Sequence, residues 1–404
     1  MSSSYEQAAR SWVEHLRSGG TTPWSEWITQ ARQAEVPTGW SVPGAAQLEL
    51  VRRLGLASRL DGATFARLVD VVLHRSAPGR GLAQQPLSWP EPDGAPRRFG
   101  APPTDPSDVP VDELVRVAVG TLTELLLITP VPPAPSELTR GRFSRGPAFV
   151  LAGAPVTTSA VRRELAAAGH AEGGTSPRVV VIAEPFDQSL AQVWSARVQR
   201  GAPVRWSGFV ERWANRRELP PSADFPALAR RWVCEVGADN VHVLVAPHDA
   251  AAEVATGLGL AGVGQSGVGP AGRTAKHPEQ QPRWRDLSVA GIDLARRVNA
   301  VLNVRAAGPD REAAVRGCAT VLATVATGPG QLTVPQPFQD WLANRAQQVA
   351  DDLREGGYAV LGDAVHIVPR SEGVPTGPRR DEVLRVAVEA CLHQASATRK
   401  AEQR

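Results

Sequence analysis

The chain has 404 residues, of which 42% are hydrophobic, so it is long enough for more than one domain and can bury a sizeable core. Lys and Arg (44) nearly balance Asp and Glu (41), and no long basic run occurs, which argues against nucleic-acid binding. No run of 18 apolar residues and no signal-peptide stretch occurs, so we expect no membrane span and a cytoplasmic location. The three cysteines form no CxxC pair, and we expect neither a disulfide framework nor a metal site.

The first third of the chain has the apolar spacing of helices. Residues 5–17, 44–57 and 63–74 follow this period, and it returns over 111–128. Eight prolines in 85–110 are typical of an extended linker. We therefore predict a helical region over 1–84, followed over 85–145 by a Pro-rich linker and one helix.

The pattern changes at residue 147. Short apolar runs at 147–153, 178–185 and 240–247 predict buried strands, and helical stretches separate them. Alternating strands and helices favour an α/β fold with a parallel sheet between helices, which places any site at the carboxyl edge. The segment 364–369 is expected to add a strand or extended piece, which gives a core domain over 146–370. A helix at 380–394 and a polar tail complete the segment 371–404.

Parts of the chain also resemble one another. WVEHLRSGGTTPWSEWI (12–28) aligns without a gap on WSARVQRGAPVRWSGFV (194–210). In the same order, LVRRL (50–54) matches LARRV (294–298), and DELVRVAV (112–119) matches DEVLRVAV (381–388). Chance similarity of amphipathic helices is one explanation. The other is an internal repeat whose first copy lost its strands and packs as a helical companion on the second.

The run from 147 to 369 resembles the bacterial sulfotransferase family, notably a branch common in actinobacteria. The resemblance rests on a Gly-x-Pro turn after a first strand (GAP, 153–155), the strand VVVIAEP, the Trp194 and Trp206 hairpin, and the segments ALARRWVCEVGADNVHVLVAP and SVAGIDLARRVNAVL. It implies a P-loop-like sulfotransferase fold that binds 3′-phosphoadenosine 5′-phosphosulfate and transfers its sulfuryl group to a hydroxyl or amine.

The resemblance places the 5′-phosphosulfate at the turn that opens the helix after the first strand. The cofactor-binding residues it implies there are Gly153, Pro155, Thr157, Thr158 and Ser159. The family's Lys position is Val156 here, so Arg162 and Arg163 are the candidates to replace that cation. An ordinary strand-to-helix turn with Ser and Thr caps is the alternative interpretation.

The 3′-phosphate motif departs further from the family. When the two Trp residues are aligned, Glu184 stands where the family has its Arg, and Gln192 stands where it has its Ser. A carboxylate repels a phosphate, more strongly in a cleft than in water, although Gln192 still offers a hydrogen bond. The sequence therefore predicts a degenerate donor site, in which the residues that bind the cofactor are largely replaced.

No catalytic base can be assigned from the sequence. His170 follows a helix, His242 lies within a strand, and His248 with Asp249 follows that strand, which makes this pair the most site-like. The glycines of 262–267 match the spacing of a dinucleotide-binding motif, but they follow a predicted helix rather than a strand, so a flexible loop is the better interpretation. The tryptophans are expected to fill the hairpin cores, with a sugar platform as the alternative; they are Trp12, Trp24, Trp27, Trp194, Trp206 and Trp213.

Three functions are consistent with these patterns. The first is a sulfotransferase-like protein with a degenerate donor site that acts without catalysis, together with a protein partner. The second is an active transferase that uses 3′-phosphoadenosine 5′-phosphosulfate and a carbohydrate or small-molecule hydroxyl, with Arg162 or Arg163 in the phosphate site. The third is a helical scaffold for protein interaction built by residues 1–140.

Overall fold

The computed structural model divides the chain into two compact units. A helical unit comprises Met1–Pro132, Asp293–Thr327 and Pro378–Arg404, and a sheet unit comprises Pro133–Ile292 and Gly328–Gly377. The predicted domain 146–370 therefore contributes residues to both units. The residues described are 2–30, 44–74, 87–88, 104–129, 148–170, 172–174, 177–245, 250–260, 287–328, 332–369 and 377–403.

Long helices dominate the described residues, and short strands separate some of them. The helices are α1 (Ser2–Arg17), α2 (Trp24–Gln30), α3 (Ala45–Ala57), α4 (Gly62–His74), α5 (Val111–Ile128), α6 (Pro155–Ala167), α7 (Phe186–Gln199), α8 (Trp206–Arg216), α9 (Phe225–Val236), α10 (Ala250–Leu258), α11 (Val289–Arg305), α12 (Gly308–Val325), α13 (Gln339–Glu355) and α14 (Arg380–Glu402). The strands are β1 (Phe149–Gly153), β2 (Arg178–Ala183), β3 (Val241–Val245) and β4 (Ala359–Leu361).

The four strands form one parallel sheet, as the predicted α/β class requires. Their order is β1-β2-β3-β4, with Phe149 opposite Arg178, Val179 opposite Val241, and His242 opposite Ala359. The carboxyl ends of β1 and β2 therefore lie side by side. The predicted α/β fold with a parallel sheet is confirmed.

The sheet core explains why β2 is apolar at every position after Arg178. Alternate side chains of a strand point to opposite faces, and both Val179 and Val180 are buried. One face packs against α6 and α10, in a cluster that includes Leu151, Ile182 and Val254. Helix α9 packs against β2 and β3 and contributes nothing to that cluster, so β2 is covered on both sides.

The outer edge of β1 is closed by the short segment that precedes β2. The Glu172 side chain accepts a hydrogen bond from the Leu151 N–H at 2.7 Å, and the Gly173 N–H donates to the Phe149 carbonyl at 3.0 Å. A carboxylate and one backbone bridge thus satisfy groups that an edge strand would otherwise expose.

In the helical unit, α5 is buried along most of its length. Its buried residues include Leu114, Ala118, Leu122 and Leu126, which follow the helical period predicted from the sequence. Helix α5 packs against α3, α4, α12 and α14.

Two predicted boundaries need correction. The expected strand or extended piece at 364–369 is wrong, because Ala364–Ile367 forms a 3₁₀ helix whose first turn is capped by the Asp363 side chain, and the closing strand is β4. The last helix does not end at 394 before a polar tail but runs to Glu402. Side chains of that last stretch bind α4 and its N-terminus: Arg399 pairs with Asp61, and Glu402 pairs with Arg67.

Each Trp hairpin is a pair of helices joined by a tight turn. In α1–α2 the Trp12 indole N–H donates to the Thr22 carbonyl at 2.9 Å, and the Trp12 and Trp24 rings lie 5.1 Å apart. In α7–α8 the Trp194 indole donates to the Val204 carbonyl at 2.8 Å, and its ring lies 5.7 Å from that of Trp206. The rings fill the hairpin cores, as expected for tryptophans at this spacing.

Candidate functional site

The candidate site lies where β1 and β2 end and α6 and α7 begin. Gly153 ends β1 with a φ of +116°, and a Cβ atom at this position would lie 2.1 Å from the Ile182 carbonyl oxygen. The close approach of two neighbouring strands is therefore sufficient to explain this glycine, without any ligand. Pro155 then occupies the first turn of α6, where its missing N–H costs nothing.

The first turn of α6 is capped by a side chain from another helix. Ala154, the residue before the helix, has no side chain that can cap it, and Gln192 of α7 supplies the missing acceptor. The Gln192 Oε1 atom accepts hydrogen bonds from the backbone N–H groups of Val156 and Thr157, each at 3.1 Å. The N–H of Ala154 donates to the Ile182 carbonyl at 3.4 Å. Every N–H that this helix start could offer to an anion thus has a protein partner.

Glu184 occupies the centre of this arrangement. Its side chain lies directly after β2, is only 8% exposed, and accepts hydrogen bonds from the Thr157 hydroxyl and from the Gln192 amide. The same Gln192 amide also donates to the Thr157 hydroxyl oxygen at 3.0 Å. We call Thr157, Glu184 and Gln192 the capping triad. It brings a carboxylate, an amide and a hydroxyl to the place where the resemblance locates phosphate groups.

The two candidate arginines do not join the capping triad. Arg162 is exposed and pairs with Glu172, to which both its Nε and its Nη2 donate. Arg163 is exposed as well, and its Nε donates to the Ser159 carbonyl at 3.3 Å in its own helix. The proposed convergence of these side chains with Thr157–Ser159 in a phosphate site is therefore not seen.

The remaining predicted residues of the turn divide between core and surface. Thr158 is buried, and its hydroxyl has no hydrogen-bond partner among the described residues, whereas Ser159 is exposed. Val156 is half-buried at the family's Lys position and carries no charge. Of the proposed cofactor-binding side chains, the structure brings together only Thr157 and Gln192.

One titratable group beside the site was not anticipated. Asp187, in the first turn of α7, has its pKa raised by burial, and its Oδ1 atom has no partner among the described residues. An acidic residue in the first turn of a helix is common, so nothing in the sequence distinguishes Asp187 from an ordinary helix start. Glu172 was missed for a different reason, because its partners Leu151 and Arg162 lie 21 and 10 residues away in the sequence.

The histidines form no catalytic cluster in the described part of the chain. His170 follows α6 and His242 lies in β3, while His248, Asp249 and the glycines of 262–267 lie outside the described residues. A search of the described residues finds no group of three His, Cys, Asp or Glu side chains that could hold a metal ion. In the same residues, no helix is both long and apolar enough to cross a membrane.

Comparison with protein-family models, with curated proteins and with solved structures finds no match. The function must therefore be argued from the geometry of the site itself.

Proposed function

We propose that this chain has a sulfotransferase-like core that no longer binds the phosphosulfate donor and acts without catalysis, through a protein partner. The observation that carries the proposal is the capping triad. Gln192 takes both free N–H groups at the start of α6, and Glu184 brings a carboxylate to the same place. The chain fills this position with its own side chains.

The charge of Glu184 supports this interpretation most directly. Two like unit charges 4 Å apart repel by about 4 kcal/mol at the effective dielectric constant of 20 typical of protein sites. A phosphate entering here would meet this repulsion and would also have to displace Gln192 from the amides of Val156 and Thr157. Both costs must be offset by new contacts, and Val156 supplies no cation.

The arrangement of the arginines speaks against an active transferase. Arg162 would have to leave Glu172, the carboxylate that also accepts the Leu151 N–H at the β1 edge, in order to reach the donor site. Arg163 sits on the exposed side of α6, one turn beyond Ser159. Neither residue compensates for the missing Lys without a rearrangement.

The proposal places this role in the cytoplasm, where thiols stay reduced. Cys318 and Cys391 are buried and unpaired, burial raises the pKa of each thiol to about 12, and Cys234 is an exposed free thiol. Three unpaired cysteines fit a reducing compartment.

Isothermal titration of the full chain with 3′-phosphoadenosine 5′-phosphate tests the proposal. We expect no binding heat up to millimolar ligand, and a Kd in the micromolar range would overturn the idea. The matched variant carries V156K, E184R and Q192S, which restore the family's residue types at three of the departing positions. Weak binding by this variant, with none by the natural chain, would locate the loss of affinity in these side chains.

A further inference from the structure

Helices α5 and α14 lie side by side, run in the same direction and are in register. Near their N-termini, Arg380 pairs with Asp112 at 2.7 Å. In the middle, the Cys391 thiol donates to the Ala118 carbonyl at 3.7 Å. At the other end, the hydroxyl oxygens of Thr129 and Thr398 lie 2.7 Å apart. Contacts at the start, centre and end of both helices, in that order, establish a parallel pair.

The register of this pair agrees with the sequence match. When DELVRVAV of α5 is placed on DEVLRVAV of α14 and both are extended, Thr129 corresponds to Thr398. These two residues touch each other, and each hydroxyl oxygen also lies within hydrogen-bond distance of the carbonyl four residues before it, Leu125 at 2.6 Å and Gln394 at 2.9 Å. Equivalent residues meet at an interface when two copies are related by a two-fold axis, here parallel to the helices.

The contacts of α4 and α12 follow the same symmetry. Helix α4 packs against both α5 and α14, and α12 packs against both as well. Exchanging the two copies exchanges α4 with α12 and α5 with α14, so each of these contacts has a counterpart. Chance similarity of two amphipathic helices does not require their neighbours to match.

A buried ion cluster recurs in the third matched segment. On α3, Glu49 is buried and accepts hydrogen bonds from the Nε atoms of Arg52 and Arg53 at 2.7 and 2.8 Å. On α11, Asp293 is buried and accepts from the Nε atoms of Arg296 and Arg297, both at 2.7 Å. The spacing, the donor atoms and the burial agree.

The Trp hairpins agree in backbone and side-chain detail. Gly19 and Gly201 occupy equivalent turns with φ values of +90° and +91°. The Trp24 indole donates to the Ser88 carbonyl at 2.7 Å, and the Trp206 indole donates to the Thr333 carbonyl at 2.9 Å. Ser88 and Thr333 lie in the similar stretches LSWP (87–90) and LTVP (332–335), a further match in the same chain order.

We propose that α5 and α14 form an internalised dimer interface. The N-terminal copy supplies α4 and α5, the C-terminal copy supplies α12 and α14, and the helical unit reproduces within one chain a contact that two single-copy chains would make. The occupant of the α14 surface is thus a second copy of the same unit, supplied by residues 1–132. This inference does not depend on the donor site.

Reciprocal exchange of helix segments in the full chain tests the proposal. Residues 112–129 and 381–398 change places, so that under two-fold symmetry the side chains of one helix meet the same side chains of the other helix, while those that faced α4 now face α12 and the reverse. We expect a monomer with cooperative unfolding and a Tm lowered by less than about 8 °C, the shift that roughly 1 to 2 kcal/mol produces in a domain of this size. The control places residues 111–128 and 380–397 in the same slots, which rotates each apolar face by about 100°.

The control chain is expected to lose cooperative unfolding. If the chain in which 112–129 and 381–398 change places unfolds like the control chain, the symmetric interface is refuted. It is also refuted if this chain and the control chain both unfold like the natural protein. A second full-chain variant, T129C/T398C, tests the register without disturbing the core. We expect a disulfide between these two positions under mild oxidation, read by peptide mass spectrometry, and its absence would also overturn the proposal.

Discussion

Glu184 is a buried carboxylate whose environment consists of hydrogen-bond donors. The Thr157 hydroxyl and the Gln192 amide both donate to it, and the two donors also contact each other. A buried charge is tolerated when such donors satisfy it, because an unsatisfied one costs far more than an exposed one. The residue that we propose excludes an anion therefore also links β2, α6 and α7 through its hydrogen bonds.

The T157V substitution is expected to destabilise the protein by about 1.5–3 kcal/mol, because it removes a hydrogen bond to a buried charged group. Urea unfolding of the purified chain measures this loss. The matched control is T158V, since Thr158 is the next residue of α6, is also buried, and has no partner for its hydroxyl among the described residues. We expect T158V to be neutral or stabilising, and equal effects of the two substitutions would contradict the role of the triad.

The residue types of the site could be predicted from the sequence, but their arrangement could not. The spacing placed Glu184 at the end of a strand and Thr157 at the start of a helix, and both positions are correct. The sequence indicated only repulsion at Glu184. Its hydrogen bonds join residues 27 and 8 positions away, and no periodicity of the chain reveals which side chains converge at that distance.

At the scale of elements, helical period and buried strands were the reliable signals. Strands β1, β2 and β3 and helices α3, α4 and α5 lie close to the positions expected from their apolar patterns. The segment AVHIVP alternates like a strand, but the Asp363 carboxylate binds the Val365 N–H at 2.9 Å and turns the chain into a 3₁₀ helix. A local side-chain acceptor outweighed the pattern there.

The end of α14 shows the opposite error. The polar sequence after Gln394 suggested a polar tail, whereas the segment continues the helix and forms ion pairs with Asp61 and Arg67. These partners lie more than 300 residues earlier in the chain, so local composition contains no trace of them.

The two buried ion clusters should contribute equally to stability. We expect E49Q and D293N each to cost about 1–3 kcal/mol, because each leaves two arginines facing a neutral group in a largely buried site. Thermal and urea unfolding of the single variants measure these costs. E389Q is the control, since Glu389 pairs with Arg385 on an exposed helix face, and we expect a change within about 0.5 kcal/mol.

A large difference between E49Q and D293N would show that the two clusters are not equivalent. A cost for E389Q as large as theirs would show that burial of the carboxylate is not the cause.

At the scale of the whole molecule, the helical unit is built from three separate stretches of chain. Residues 1–132 need α12 and α14 to cover α5, and both come from the second half. Sequence patterns identified the helices and their internal similarity. They did not show that Asp293–Thr327 belongs to the helical unit rather than to the sheet unit, because this depends on packing between segments that are distant in the chain.

Truncation after Gly377 should expose the buried face of α5. We expect increased binding of the dye ANS and concentration-dependent aggregation, because α14 is the helix that runs along the full length of α5. A chain ending after Glu402 is the control and should behave like the natural protein. A truncated chain that stays monomeric, with unchanged ANS fluorescence, would contradict this arrangement.

The late position of α14 has a consequence for synthesis in the cell. Translation proceeds at about 5–20 residues per second, so the ribosome needs on the order of ten seconds or more after completing α5 before α14 emerges. Throughout that interval α3 and α4 are present, but the part of the α5 surface that α14 covers in the finished protein lacks that cover. The nascent protein must be protected from aggregation until its final helix leaves the exit tunnel. Translation that stops before that point produces a fragment in which the apolar α5 surface that contacts α14 is exposed.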